Sequence, residues 1–141
     1  MVLVNLIFKG KIMNFVQAVK SYFIRWNDFK GRSSRSEYWW ATLFTYLVII
    51  LLQVVQVMLV QAESVLALLA MITILVFLLF LTIASFAVMV RRIHDVNRSG
   101  WWFLIYFTII GIFVLLYWYV QKGDEADNRY GSDPLSGLQI K

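Results

Sequence analysis

The chain has 141 residues, enough for one domain, of which 61% are hydrophobic and 15% charged, with six Trp, seven Tyr and eleven Phe. A soluble protein of this size could not bury that much apolar surface, so lipid must be part of its solvent. The net charge is +5 and there is no cysteine, which excludes disulfides, thiol chemistry and Cys-based zinc sites; the basic residues sit at the boundaries of apolar runs without a nucleic-acid motif, which argues against a nucleic-acid partner.

Residues 1–12 read as an N-terminal extension, an apolar patch followed by Lys9 and Lys11. A secretory signal would put its charge first and end on small residues, so none is expected, and Met13 is a plausible alternative start. Over residues 15–26, Phe15, Val19, Tyr22 and Trp26 recur at helical spacing, with Gln17, Lys20, Ser21 and Arg25 opposite. This is an amphipathic helix, lying either in the headgroup region or on the protein's own bundle; periodicity alone does not separate the two. Ser34-Arg35-Ser36-Glu37 has capping-box form, so a helix should start there with hydroxyl and carboxylate satisfying each other's N–H groups. Tyr38, Trp39 and Trp40 then supply rings for a membrane interface.

The first span is about residues 38–60, without a charge. Its Thr42, Thr45, Gln53 and Gln56 collect on one stripe, which should face other helices because amides are costly against lipid tails. Gln61-Ala62-Glu63-Ser64 is a short turn, so the next span, about residues 65–90, runs antiparallel. That span exceeds one bilayer and should tilt or project. Ala70, Thr73, Ala84 and Ala87 on one side allow close helix approach. The third span is residues 101–120, opened by Trp101-Trp102 and closed by Tyr117-Trp118-Tyr119. Those aromatic groups stand ~25 Å apart along a helix, which favours a full crossing. Gly111 permits a bent re-entrant hairpin, but arms of about ten residues would reach only halfway. The expected architecture is therefore an all-α membrane protein. Three transmembrane helices follow an amphipathic interfacial helix, in one membrane domain over residues 13–134, with a polar tail at 135–141.

Charge sets orientation. Residues 1–38 hold seven Lys or Arg, the loop at 91–100 three, and the turn at 61–64 none. The N-terminus and the 91–100 loop should be cytoplasmic and the 61–64 turn periplasmic. With three crossings the C-terminus is periplasmic; with a re-entrant third segment it returns to the cytoplasm.

Three motifs carry a resemblance. The first is Phe29-Lys30-Gly31-Arg32 with Arg35, Glu37, Tyr38 and Trp39. The second is Arg91-Arg92-Ile93-His94-Asp95 followed by Arg98-Ser99-Gly100-Trp101-Trp102. The third is Asn128-Arg129-Tyr130-Gly131 with Asp133-Pro134. In this order they resemble family 805 of the domains of unknown function, small bacterial inner-membrane proteins, over residues 13–134. The resemblance implies three hydrophobic segments in the inner membrane and brings no established activity. The family usually has a proline near Gly111; Ile109-Ile110 here makes a straight third helix easier.

His94 beside Asp95 invites an acid–base reading. Neighbours in sequence point apart on a helix, and no nucleophile or second histidine stands by, so no catalytic residue is assigned and no enzyme is expected. Scattered acids and one His make no metal set, and no cofactor is expected. The arginines set topology first and attract anionic headgroups second. A third reading is an anionic lipid or ligand site built from Arg32, Arg35, Arg91, Arg92, His94, Asp95 and Arg98. In it Glu37 and Asp95 are internal counter-charges. The expected role is structural or interactive, through cytoplasmic basic loops that meet membrane lipids, other membrane proteins or a second copy. The alternative is a subunit of an oligomeric small-solute transporter or channel lined by the Thr42–Gln56 stripe.

Overall fold

The computed structural model describes residues 12–62 and 64–136. The predicted extension up to residue 11, Glu63 of the predicted turn and the tail from residue 137 lie outside them. The described elements run α1 (Phe15–Ile24), α2 (Arg35–Val60), α3 (Val65–Asp95), a 3-10 helix (Gly100–Phe107) and α4 (Ile109–Val120).

The antiparallel pair α2 and α3 carries the fold. Ser34 Oγ accepts the Glu37 N–H at 3.2 Å and Ser64 Oγ accepts the Ala67 N–H at 3.1 Å, each satisfying a donor that a helix start leaves free. Glu37 does not complete the predicted capping box. Its carboxylate is drawn to the Ser21 hydroxyl at 2.7 Å instead. Both helices are long and apolar enough to cross a membrane. Their 26 and 31 residues reach about 39 and 46 Å, against about 30 Å of hydrocarbon. On the half nearer the 61–64 turn their outer faces are bare: Leu51, Val57, Leu66, Leu75 and Leu79 are all more than half exposed. Such a surface is stable only against lipid.

The other half is wrapped. The close approach expected of small residues holds at Ala84 and Ala87, both fully buried, but not at Thr73, which is exposed. α1 opens with a capping box between Asn14 and Gln17 and packs across α2 and α3. Tyr22, fully buried, donates its phenol to the Leu81 carbonyl at 2.8 Å and meets Ser85 Oγ at 2.9 Å. Phe23 stacks on Phe80 at 6.0 Å and meets Phe44 edge-on at 5.6 Å. The helix thus packs on its own bundle, while Val16 and Ile24 point outward. The polar stripe of α2 divides. Thr45 is buried and donates to the Ala41 carbonyl at 2.9 Å. Gln53 is exposed and Gln56 half-exposed, and neither bonds to any described residue.

A continuous helix over residues 101–120 does not form. The chain descends as the 3-10 helix, breaks at Thr108 and returns as α4. Thr108 is extended (φ −115°, ψ 144°), donates to the Ile105 carbonyl at 2.8 Å and accepts the Gly111 N–H at 3.0 Å. Its hydroxyl closes one arm and caps the next. Gly111 lies so near that a Cβ there would stand 1.8 Å from the Ile105 carbonyl oxygen. Eight residues of 3-10 helix and twelve of α-helix give matched arms of about 16 and 18 Å, each roughly half a bilayer. The aromatic groups predicted to mark opposite interfaces lie together, with the Trp102 and Trp118 rings 5.7 Å apart. The tail therefore does not emerge at the end opposite the 91–100 loop. It docks on that loop, where the Asp124 N–H donates to the Asp95 carbonyl at 2.9 Å.

Candidate functional site

α3 runs past the predicted end at Val90 to Asp95, so its last turn is helical through both arginines. It closes at Asn97, whose left-handed conformation (φ 57°) brings the Arg98 N–H to the Ile93 carbonyl at 3.1 Å. Arg91, Arg92, Asp95, Arg32 and Glu37 are all buried here, with Arg91, Arg92 and Glu37 fully so. Buried charge requires partners, and the partners divide the site in two.

Asp95 holds the first part. One carboxylate oxygen accepts Arg32 Nε at 3.0 Å and the other accepts Arg92 Nη1. Arg92 turns its remaining donors to the end of α4: Nε to the Tyr119 carbonyl at 3.2 Å, Nη2 to Trp118 at 3.1 Å and to Gln121. Those are carbonyls that a helix end leaves without partners, and a cation there also suits the helix dipole. Arg32 reaches the tail carbonyls of Ala126 at 2.8 Å, Gly131 at 3.0 Å and Asp124. The tail passes over Asp95 at Gly123, where a Cβ would stand 1.9 Å from the carboxylate.

Arg91 holds the second part, on the flank of α3 that faces α1. Its Nε donates to Ser33 Oγ at 3.0 Å, and its Nη1 to the carbonyls of Arg25 at 2.7 Å and Asp28 at 2.8 Å. Nη2 lies 3.5 Å from Glu37, an ion pair rather than a hydrogen bond. Consecutive arginines thus tie opposite flanks, Arg91 the α1–α2 connection and Arg92 the returning hairpin. Within that connection Asp28 is held at about 2. Burial pushes it up, but the Lys30 N–H, the Arg25 side chain and the Gly31 N–H together draw it further down.

His94 is clamped apart from this. Its ring stacks on Tyr130 with centroids 3.8 Å apart, and Nδ1 donates to the Gly31 carbonyl at 3.1 Å. Asn128 donates to the His94 carbonyl at 3.1 Å. Both Asp95 oxygens face guanidinium groups, so the carboxylate does not orient the imidazole. Among the described residues no group of three His, Cys, Asp or Glu could hold a metal.

Of the seven candidate residues, the structure gathers Arg32, Arg92 and Asp95 into one cluster and places Arg91 and His94 beside it. Arg35 is exposed and reaches the Val120 carbonyl at 3.4 Å; Arg98 is exposed and lies over the Trp118 ring at 5.7 Å. The donors of Arg32 and Arg92 are spent within the chain, so the cations open to an outside anion are the peripheral ones. Sequence reasoning missed Ser21, Ser33 and the tail carbonyls. Carbonyls leave no mark in a sequence, although the third motif, Asn128-Arg129-Tyr130-Gly131, falls in the segment that supplies two of them.

Residues 26–132 match the family described as "Protein of unknown function (DUF805)". Inner membrane protein YhaI of Escherichia coli (strain K12) is 35% identical over 124 residues, 87% of this chain and 96% of that protein. Inner membrane protein YhaH of the same strain is 32% identical over 121 residues, 85% of this chain and 94% of that protein. No solved structure matches the chain. The family match takes in the first two motifs, Asn128 to Gly131 of the third and most of the chain, and the chain belongs to the DUF805 family of proteins of unknown function.

Proposed function

We propose that this is a non-enzymatic inner-membrane protein that presents a rigid, basic cytoplasmic end to anionic lipid headgroups and to neighbouring membrane proteins. Two spans, α2 and α3, cross the membrane, and the 100–120 hairpin enters and leaves by the inner face. The seven Lys or Arg of residues 1–38, against none at 61–64, support this orientation. The tail's bond to Asp95 supports a C-terminal region on the same side as the 91–100 loop. The inner membrane is where the relatives are named to reside.

The observation that carries the role is the division of labour among cations. The buried arginines are consumed in tying α3 to the α1–α2 connection and to the hairpin, while Lys20, Lys30, Arg35, Arg98 and Arg129 stay exposed. A pocket that bound and turned over a substrate would need free titratable groups, whereas His94 is stacked and Asp95 is doubly paired. A basic residue near an anionic surface contributes about 1 kcal/mol. Replacing Arg35 and Arg98 together by Gln should therefore lower the retention of phosphatidylglycerol roughly thirtyfold in lipid-exchange experiments on the reconstituted protein. Unchanged retention would remove the lipid-facing role.

A further inference from the structure

The outer face of α2 holds a feature that the ionic end does not explain. Gln53 is exposed and Gln56 half-exposed on a helix whose other surroundings there are Val, Leu and Ile. Neither carboxamide has a partner among the described residues. Val60 ends the helix, so Gln53 stands about 10 Å inside that end, beyond what a glutamine side chain can span to water. Gln56, nearer the end by one turn, can reach the interface. In hydrocarbon an amide without a partner is costly, and such groups hydrogen-bond to another helix.

We infer that two copies of this chain associate through the stripe of α2 that bears Gln53. A carboxamide is both donor and acceptor, so it complements itself across a two-fold axis, and each Gln53 can answer the other. At 100° per residue, Tyr46, Val57 and Val60 lie within about 40° of Gln53 on this stripe, and all three are exposed. Leu51, equally bare at 63% exposed against 67% for Val57, lies on the opposite flank, about 160° away. α1 and the hairpin wrap the other half of the pair and leave this flank open. The inference rests on α2 crossing the membrane and not on which face is cytoplasmic or on lipid retention.

The chain has no cysteine, so single cysteines report cleanly. In liposomes holding only the purified protein, Val57→Cys should cross-link to a dimer under mild oxidation and Leu51→Cys should not. Adding Gln53→Leu to Val57→Cys should weaken dimer formation about tenfold, within the range for a hydrogen bond between membrane helices. Equal cross-linking at both positions, or none at Val57, overturns the inference. Cross-linking that occurs in cell membranes but not with purified protein also overturns it and points to a different partner.

Discussion

Asp95→Asn should lower stability by about 3–5 kcal/mol, the usual cost of removing one partner from a buried ion pair. The substitution keeps the shape and deletes the charge facing Arg32 and Arg92, whose side chains are almost wholly inaccessible. Neither cation can move to water without breaking its bonds to the tail and to the end of α4. The loss should therefore appear as undocking of residues 121–136 together with loosening of the hairpin, rather than as melting of α2 and α3. Thermal unfolding in detergent, followed by tryptophan fluorescence, measures the first. Protease sensitivity of the tail measures the second. A change below about 0.5 kcal/mol would place Asp95 among ordinary surface positions and contradict the buried cluster.

Gly111→Ala separates the hairpin from a straight helix by the sign of its effect. In a helix interior alanine is better than glycine by roughly 0.5–1 kcal/mol, so a continuous third span would gain stability. In the hairpin the new methyl meets the Ile105 carbonyl carbon and oxygen and the Thr108 hydroxyl, at 2.5, 1.8 and 2.6 Å. Two of those contacts are backbone atoms held by the turn itself, so they cannot rotate away. Overpacking of this kind costs about 1–3 kcal/mol and outweighs the propensity gain. A fall in the unfolding midpoint, with loss of the Trp102–Trp118 contact, is the expected result; a rise would belong to the straight helix.

The two long spans were legible because length and hydrophobicity suffice to identify them. Their ends were not. Arg91 and Arg92 read as a stop signal, yet the helix continues through them because Ser33, Tyr119 and the Arg25 and Asp28 carbonyls take their donors. The third segment misled for a physical reason. Its flanking aromatics are a membrane's depth apart only if the chain between them is straight, and spacing along a sequence carries no direction. Gly111 permits a bent hairpin on sequence alone, but the Thr108 cap three residues ahead of it, which makes the break, is hidden inside an apolar run. At the ionic end the approach of the first two motifs followed from their shared membrane face. The role of each arginine did not, since it is fixed by backbone carbonyls: those of the α1–α2 connection for Arg91, of the end of α4 for Arg92, and, for Arg32, of a tail whose docking depends on Gly123 clearing Asp95.

The most direct test concerns the side on which the chain ends. Fluorescent-protein and alkaline-phosphatase reporters are fused in turn after Lys141 and inserted in the 61–64 turn. With two crossings and a re-entrant hairpin, the C-terminal fusion fluoresces and its phosphatase is inactive, while phosphatase in the turn is active. Active phosphatase and a dark fluorophore after Lys141 would mean that the third segment crosses, and the docked tail described above could not exist.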